Sequence, residues 1–255
     1  MGNLKKRSPF LATHMGAQTT QKRISLVVPT YNERKNIRLL VEQLFTVAEK
    51  SNLDLELVIV DDNSPDGTGE EVNALAKRFR IVPIHRPGKM GLGSAVYAGF
   101  EKASGDILGV MDADLSHPPD ILPELVGPIL RGDADMVIGS RYSPGGGVEV
   151  WPVHRKMMSL FATILARPLT GVQDPMSGLF AFRRKVIDGQ KLRVRGYKCC
   201  MEILVRGKVK KIIEVPYTFK NRLQGESKLG VAEYRDYLTN LARLYASRIF
   251  QDKYQ

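Results

Sequence analysis

The chain has 255 residues, 43% of them hydrophobic and 25% charged, with a formal net charge of +11. That apolar content excludes global disorder, and the length suits one substantial domain with a short appendage. The basic surplus favours anionic partners: phosphorylated substrates, acidic membrane surfaces or nucleic acid. The two cysteines, Cys199 and Cys200, are adjacent, which leaves no disulfide framework and favours a reducing compartment.

Residues 1–22 are polar and basic without periodicity, and are expected to form a flexible tail ahead of a single domain over 23–250. A strand is expected at Ile24–Val28, closed by Pro29. A helix follows from Glu33 to Lys50, with Ile37, Leu40, Val41, Leu44, Phe45 and Ala48 at helical spacing. The next strand, Leu55–Val60, ends in the acidic loop Asp61–Gly67. Then come a helix at Gly69–Phe79, a strand at Ile81–Ile84, a helix at Gly93–Ala103 and a strand at Asp106–Met111. A helix at Asp120–Leu130 and a strand at Met136–Gly139 complete the alternation. Such alternation predicts an α/β fold, a mostly parallel sheet with helices on both faces. Ligands then bind beyond the carboxyl ends of the strands, where the polar clusters fall.

Beyond Ser143 the pattern changes. Pro144–Gly147 reads as a loop, and Lys156–Leu169 as an apolar helix with a basic start. Its Met157, Met158, Leu160, Phe161, Ile164 and Leu165 suit either a core face or an interfacial face. Strands are expected at Gly178–Phe182 and Ile212–Pro216. An amphipathic helix is expected over Val231–Phe250, with Tyr234, Leu238, Leu241, Tyr245 and Ile249 on its stripe. No stretch approaches the roughly 20 apolar residues that span a bilayer, so a soluble or peripheral protein is expected.

Asp112 and Asp114 carry the central chemical signal. Two carboxylates two positions apart, where a strand runs out, can ligate Mg²⁺ or Mn²⁺ and leave positions open for phosphate oxygens. Asp62 and Asp66 lie on another such loop, where a carboxylate can receive ribose or base donors; capping of the following helix is the alternative. Gly88–Ser94 is neither a Walker loop nor a dinucleotide fingerprint, yet a glycine-rich helix entry brings backbone donors to a phosphate. Arg141, Arg155, Arg222 and Lys228 form a basic set suited to a second anion. Aromatics are not interleaved with the basic residues, which argues against nucleic acid.

With these residues placed, the sequence resembles the dolichyl-phosphate mannosyltransferases, inverting glycosyltransferases of GT-A fold. The resemblance rests on Pro29–Arg34, Asp61–Thr68, Asp112–Pro119, Gly139–Tyr142, Asp174–Gly178 and Gly225–Leu229. It implies mannose transfer from GDP-mannose to dolichyl phosphate, for glycosylation and GPI-anchor assembly. Pro29, Tyr31, Glu33, Asp62 and Lys89 would serve the nucleotide. Asp112 and Asp114 would hold the metal, with the Ala113 carbonyl contributing, and Asp114 would be catalytic. Arg141, Arg155 and Ser159 would face the lipid phosphate, Asp174 would lie near the transferred sugar, and Arg222 and Lys228 would contact phosphates. The family further implies a peripheral position on the cytosolic face of the endoplasmic reticulum membrane, anchored through small transmembrane subunits. Transfer of glucose from UDP-glucose, or a non-catalytic nucleotide-sugar-binding role, are the competing readings.

Overall fold

The computed structural model describes residues 22–149, 151–190, 192, 198–220 and 231–252, with the side chains of 154, 231–236 and 248–252 excepted. Apart from Lys22, the expected tail lies outside the described residues, as does the segment carrying Arg222, Lys228 and Gly225–Leu229.

In chain order the first half comprises β1 (Ile24–Thr30), α1 (Arg34–Lys50), β2 (Leu55–Asp61), α2 (Thr68–Leu75), β3 (Ile81–His85), α3 (Leu92–Lys102) and β4 (Ile107–Val110). Then follow α4 (Leu122–Arg131), β5 (Met136–Ser140), β6 (Gly147–Val148), α5 (Val153–Thr170), β7 (Phe180–Arg183), α6 (Cys199–Arg206), β8 (Ile212–Pro216), β9 (Thr218–Phe219) and α7 (Val231–Asp252). Seven strands form one sheet in the order β3-β2-β1-β4-β7-β5-β8, and β6 pairs with β9 separately. Every residue of β1, β2, β4 and β5 is buried, which explains their near-continuous apolar sequences.

Alternate residues of the strands feed two cores. Ile24, Leu26 and Val28 pack with α1, α2 and α4 on one face. Val27, Val58 and Val60 pack with α3 and α6 on the other, where both cysteines are buried. Helix α3 approaches so closely that a Cβ at Gly99 would collide with Val27.

The strand expected at Gly178–Phe182 is β7, which begins two residues later and ends one later, and it runs antiparallel between β4 and β5. The connection through α5 returns to the carboxyl edge it left, as the Gly139 N–H bonded to the Leu179 carbonyl oxygen (2.9 Å) marks. A strand entering from that edge can only oppose its neighbours. Helix α2 also stops short of Phe79, whose ring instead stacks on Phe45 with centroids 4.9 Å apart.

Helices α5 and α7 form a third cluster with Met176 and Met201. On α7 the expected stripe holds for Leu241, which is buried, and for Tyr245, which packs against the third cluster, whereas Leu238 is 52% exposed and Tyr237 and Leu244 are buried beside them; the side chains of Tyr234 and Ile249 lie outside the described residues. Two phenol hydroxyls tie this face of α7 to α5: Tyr237 donates to the Ala162 carbonyl oxygen (2.6 Å) and Tyr245 to that of Leu165 (2.8 Å). The opposite face of α5 is exposed among the described residues. Val153, Met157, Met158, Leu160, Phe161 and Ile164 are exposed, so the core reading fails for those five residues of the expected stretch, whereas Leu165 packs in the third cluster.

Candidate active site

One side of the candidate site is built from the ends of β1, β2 and β3. Pro29 lies in the last turn of β1, and Tyr31 follows it with the Lys89 ammonium 5.0 Å from its ring centroid. Glu33 accepts from the Asn36 side chain (2.8 Å) and donates its N–H to the Thr68 hydroxyl (2.9 Å). Asp62 is buried and organises the loop that carries Lys89. One of its oxygens accepts from Arg86 Nε (2.5 Å), the other from the Met90 N–H (3.2 Å). Arg86 also donates to the Ser94 hydroxyl (2.7 Å) and the Gly91 carbonyl oxygen (3.1 Å). Sequence reasoning missed Arg86; its place directly after a strand, opposite an acidic loop, was the available signal. Asp66 accepts from the backbone N–H groups of Arg34 (3.2 Å) and Thr68 (3.0 Å), in keeping with the structural alternative.

Between Val110 and α4 lies the carboxylate pair. The Asp112 side chain is 32% exposed, whereas Asp114 and Ala113 are buried. Asp114 Oδ1 accepts from both the Ser116 N–H (3.0 Å) and the Ser116 hydroxyl (2.5 Å), which fixes its rotamer. His117 is buried beneath, and its Nδ1 accepts from the Asp112 N–H (3.2 Å). The ring proton is therefore on Nε2, 3.9 Å from Asp112 Oδ2. Burial holds the His117 pKa below the usual imidazole range against the pull of Asp112 and Asp114. Leu115, at φ 60°, turns the loop; Asn32 and Asn63, at φ 62° and 56°, turn the loops after β1 and β2.

The donor set fits a hard divalent cation. A Cβ at Gly178 would stand 3.2 Å from Asp112 Oδ2, so glycine leaves room at that oxygen. Among the described residues no cluster of three or more His, Cys, Asp or Glu side chains converges. Two carboxylates alone suit an ion that completes its shell with phosphate oxygens and water.

Across the same sheet edge stand the cations. Asp174 is fully buried and grips Arg141 at both ends, with Nε to Oδ2 and Nη2 to Oδ1 each 2.8 Å. Glu214 on β8 fixes this grip by accepting the N–H groups of Gln173 (2.7 Å) and Asp174 (3.0 Å). Arg155 lies over Trp151, 4.2 Å from its centroid, and Arg141 is 5.8 Å from the same ring. Ser159 accepts from the Tyr142 hydroxyl (2.8 Å). Rings join the two sides: His117 meets Phe219 edge-on at 5.6 Å, and Phe219 meets Trp151 at 5.3 Å. The structure thus gathers Arg141, Arg155, Ser159 and Asp174, and links them to Asp112. Sequence reasoning gave no role to His117, Trp151, Glu214 or Phe219; no short spacing joins them.

The model of glycosyl transferase family 2 matches residues 25–189. A dolichol-phosphate mannosyltransferase of Pyrococcus furiosus is 44% identical over 87% of this chain, which spans 63% of that relative's length. The dolichol-phosphate mannosyltransferase of Saccharomyces cerevisiae is 40% identical, with 87% of this chain and 86% of the relative covered. Among solved structures, Mycobacterium tuberculosis glucosyl-3-phosphoglycerate synthase, in complex with Mn²⁺, UDP and glucosyl-3-phosphoglycerate, superposes with a TM-score of 0.64 at 22% identity. That match covers 89% of this chain and 80% of the synthase, and it supports the GT-A fold. The chain belongs to glycosyl transferase family 2 and, within it, to the dolichol-phosphate mannosyltransferases.

Proposed function

We propose that this chain transfers mannose from GDP-mannose to dolichyl phosphate with inversion, aided by Mg²⁺ or Mn²⁺, at the cytosolic face of the endoplasmic reticulum membrane. One observation carries the reading: a carboxylate pair, Asp112/Asp114, and a guanidinium pair, Arg141/Arg155, share one sheet edge and are joined through Phe219 and Trp151. Such an edge suits a diphosphate donor on one side and an anionic acceptor on the other. The relatives' names supply the sugar and the lipid.

In this mechanism an acceptor phosphate oxygen forms the bond to the anomeric carbon as the bond to GDP breaks. Asp112 and Asp114 would hold the divalent ion, which when bound neutralises charge on the departing diphosphate. Tyr31 and Lys89 would hold the nucleotide end, with Asp62 and Arg86 fixing the loop between them. Asp174 keeps Arg141 oriented, and Arg141 and Arg155 offer N–H donors to the acceptor phosphate. The acceptor is already an anion, so its attack needs no strong general base.

No helix among the described residues is long and apolar enough to cross a membrane. The exposed apolar face of α5, with Val153, Met157, Phe161 and Ile164 spaced at about one helical turn, supports a helix lying in the interface. Arg155 on this helix would then meet a lipid phosphate at the surface.

The deciding assay supplies dolichyl phosphate and Mn²⁺ with labelled GDP-mannose or UDP-glucose. Mannolipid from the guanosine donor is the expected product. Glycolipid from the uridine donor alone would move the assignment to glucose, and no glycolipid from either would favour the non-catalytic reading.

A further inference from the structure

His117 is 1% exposed and lies five residues beyond Asp112, on the loop between β4 and α4. An imidazole beside two carboxylates suggests a third metal ligand, but here neither ring nitrogen has an electron pair to give. The Nδ1 pair accepts the Asp112 N–H (3.2 Å), and Nε2 carries the ring proton. That N–H edge faces Asp112 Oδ2 at 3.9 Å, too far for a hydrogen bond, though its partial positive charge lies beside the carboxylate. The ring is therefore placed to act through Asp112 rather than on an ion.

The imidazole is itself held in place. Tyr217 and Phe219 meet it edge-on, with centroids 5.5 and 5.6 Å away. A Cβ at Gly178 would stand 3.3 Å from His117 Cε1 and 3.2 Å from Asp112 Oδ2, so ring edge and carboxylate lie under one glycine. Beside the ring, the Ser116 carbonyl oxygen accepts the Lys220 N–H (3.0 Å), which ties this loop to the end of β9.

Successive residues of the loop thus set the two carboxylates in different ways. Ser116 bonds the Asp114 side chain directly. His117 grips the Asp112 main chain, and so fixes where the Cα–Cβ bond of a half-buried side chain points. Groups that orient metal ligands are worth about 10- to 100-fold in metal affinity.

We propose that His117 is a positioning residue of the divalent-cation site: its Nδ1 holds the Asp112 backbone so that both carboxylates reach one ion, and the rings of Tyr217 and Phe219 keep the imidazole aligned. This rests on the metal assignment made above and adds the group that sets the geometry of its more exposed carboxylate.

Metal binding is read without turnover. The intact protein is titrated with Mn²⁺ in the presence of GDP, and free Mn²⁺ is followed by electron paramagnetic resonance. His117→Leu keeps apolar bulk but offers the Asp112 N–H no acceptor, and should weaken Mn²⁺ binding about 30-fold. In His117→Asn the amide oxygen stands close to the place of Nδ1 and can accept the same N–H, so binding should stay within about threefold of wild type. Tm should fall at least as far for His117→Asn, which leaves space beside the rings. Affinity that tracked Tm would mark a merely structural role and overturn the inference. So would Mn²⁺ binding within about threefold of wild type for His117→Leu. Should His117→Leu fail to fold, His117→Gln takes its place: its amide reaches the position of Nε2, not of Nδ1, and the same loss of about 30-fold is expected. If wild type takes up no Mn²⁺ beside GDP, the metal assignment falls and the inference with it. If wild type binds Mn²⁺ and Asp114→Ala does not, while His117→Leu binds as wild type, the assignment stands and the inference alone falls.

Discussion

The two sides of the site are held by different forces. On the proposed nucleotide and metal side, short polar side chains bond to backbone groups of the same or a neighbouring loop: Asp62 to Met90, Asp114 to Ser116, Thr68 to Glu33. On the proposed acceptor side, long cations are laid on rings or gripped by one carboxylate, beside a helix with an exposed apolar face. The first arrangement suits a rigid, water-soluble ligand that arrives in one pose. The second suits a headgroup presented from a lipid surface, where reach and charge count for more than a fixed rim.

Four changes test that contrast, in descending size of effect. Asp114→Ala removes a carboxylate of the proposed metal site and should lower kcat/KM on the order of 10³-fold, without rescue by added Mn²⁺. Citronellyl phosphate, a short soluble isoprenyl monophosphate, should bind this variant as it binds wild type; a matching loss there would mean that the two sides are not separable. Asp174→Asn leaves the buried Arg141 without its charge partner, which costs about 3–5 kcal/mol. Calorimetry should record a fall of roughly 10 °C in Tm, together with a raised acceptor KM.

The third change replaces Met158 and Phe161 by serine. Flotation with anionic liposomes should show at least about tenfold weaker association, because each side chain contributes on the order of 1 kcal/mol or more when buried in lipid. Unchanged flotation would remove α5 from the membrane surface. The smallest effect is expected far from both ligands. Burial alone would raise the Glu56 pKa, but bonds from the Ser25 hydroxyl and from Ser104, with the charge of Arg80, hold it below the usual carboxylate range. A depressed folded-state pKa contributes stability above the unfolded value, about 4.3, that is lost as pH falls through the folded one. The Tm gap between wild type and Glu56→Gln should thus be full at pH 7 and shrink below about pH 4, with turnover at pH 7 unchanged.

Much of the fold could be read in the chain because buried parallel strands write long apolar runs such as Leu55–Val60, and helices leave their period between them. The pair Asp112/Asp114 was legible for the same reason: its strand pointed to the ligand edge. Direction was not legible. Phe180–Phe182 is as apolar as a parallel strand, and only the return path through α5 makes it antiparallel. The face that α7 buries was legible only in part: Leu241 and Tyr245 lie on it as their spacing suggests, but Leu238 is exposed and Tyr237, anchored to Ala162 by its hydroxyl, is buried. The periodicity of α5 likewise shows an apolar face but not what covers it. The ring path from His117 through Phe219 to Trp151 crosses more than sixty positions at each step, beyond any local pattern.

The left-handed turns at Asn32 and Asn63 carry a consequence for how this sequence can drift. Both side chains are exposed, and exposed positions usually accept any residue within about 0.5 kcal/mol. Here the backbone sets the limit: a β-branched residue at φ 62° or 56° costs roughly 1–2 kcal/mol. A saturation screen should find valine and isoleucine depleted at both positions while glycine and aspartate persist. In the loops that would meet the nucleotide, the surface is less permissive than its exposure suggests, and constraint there records the path of the main chain rather than any side-chain chemistry.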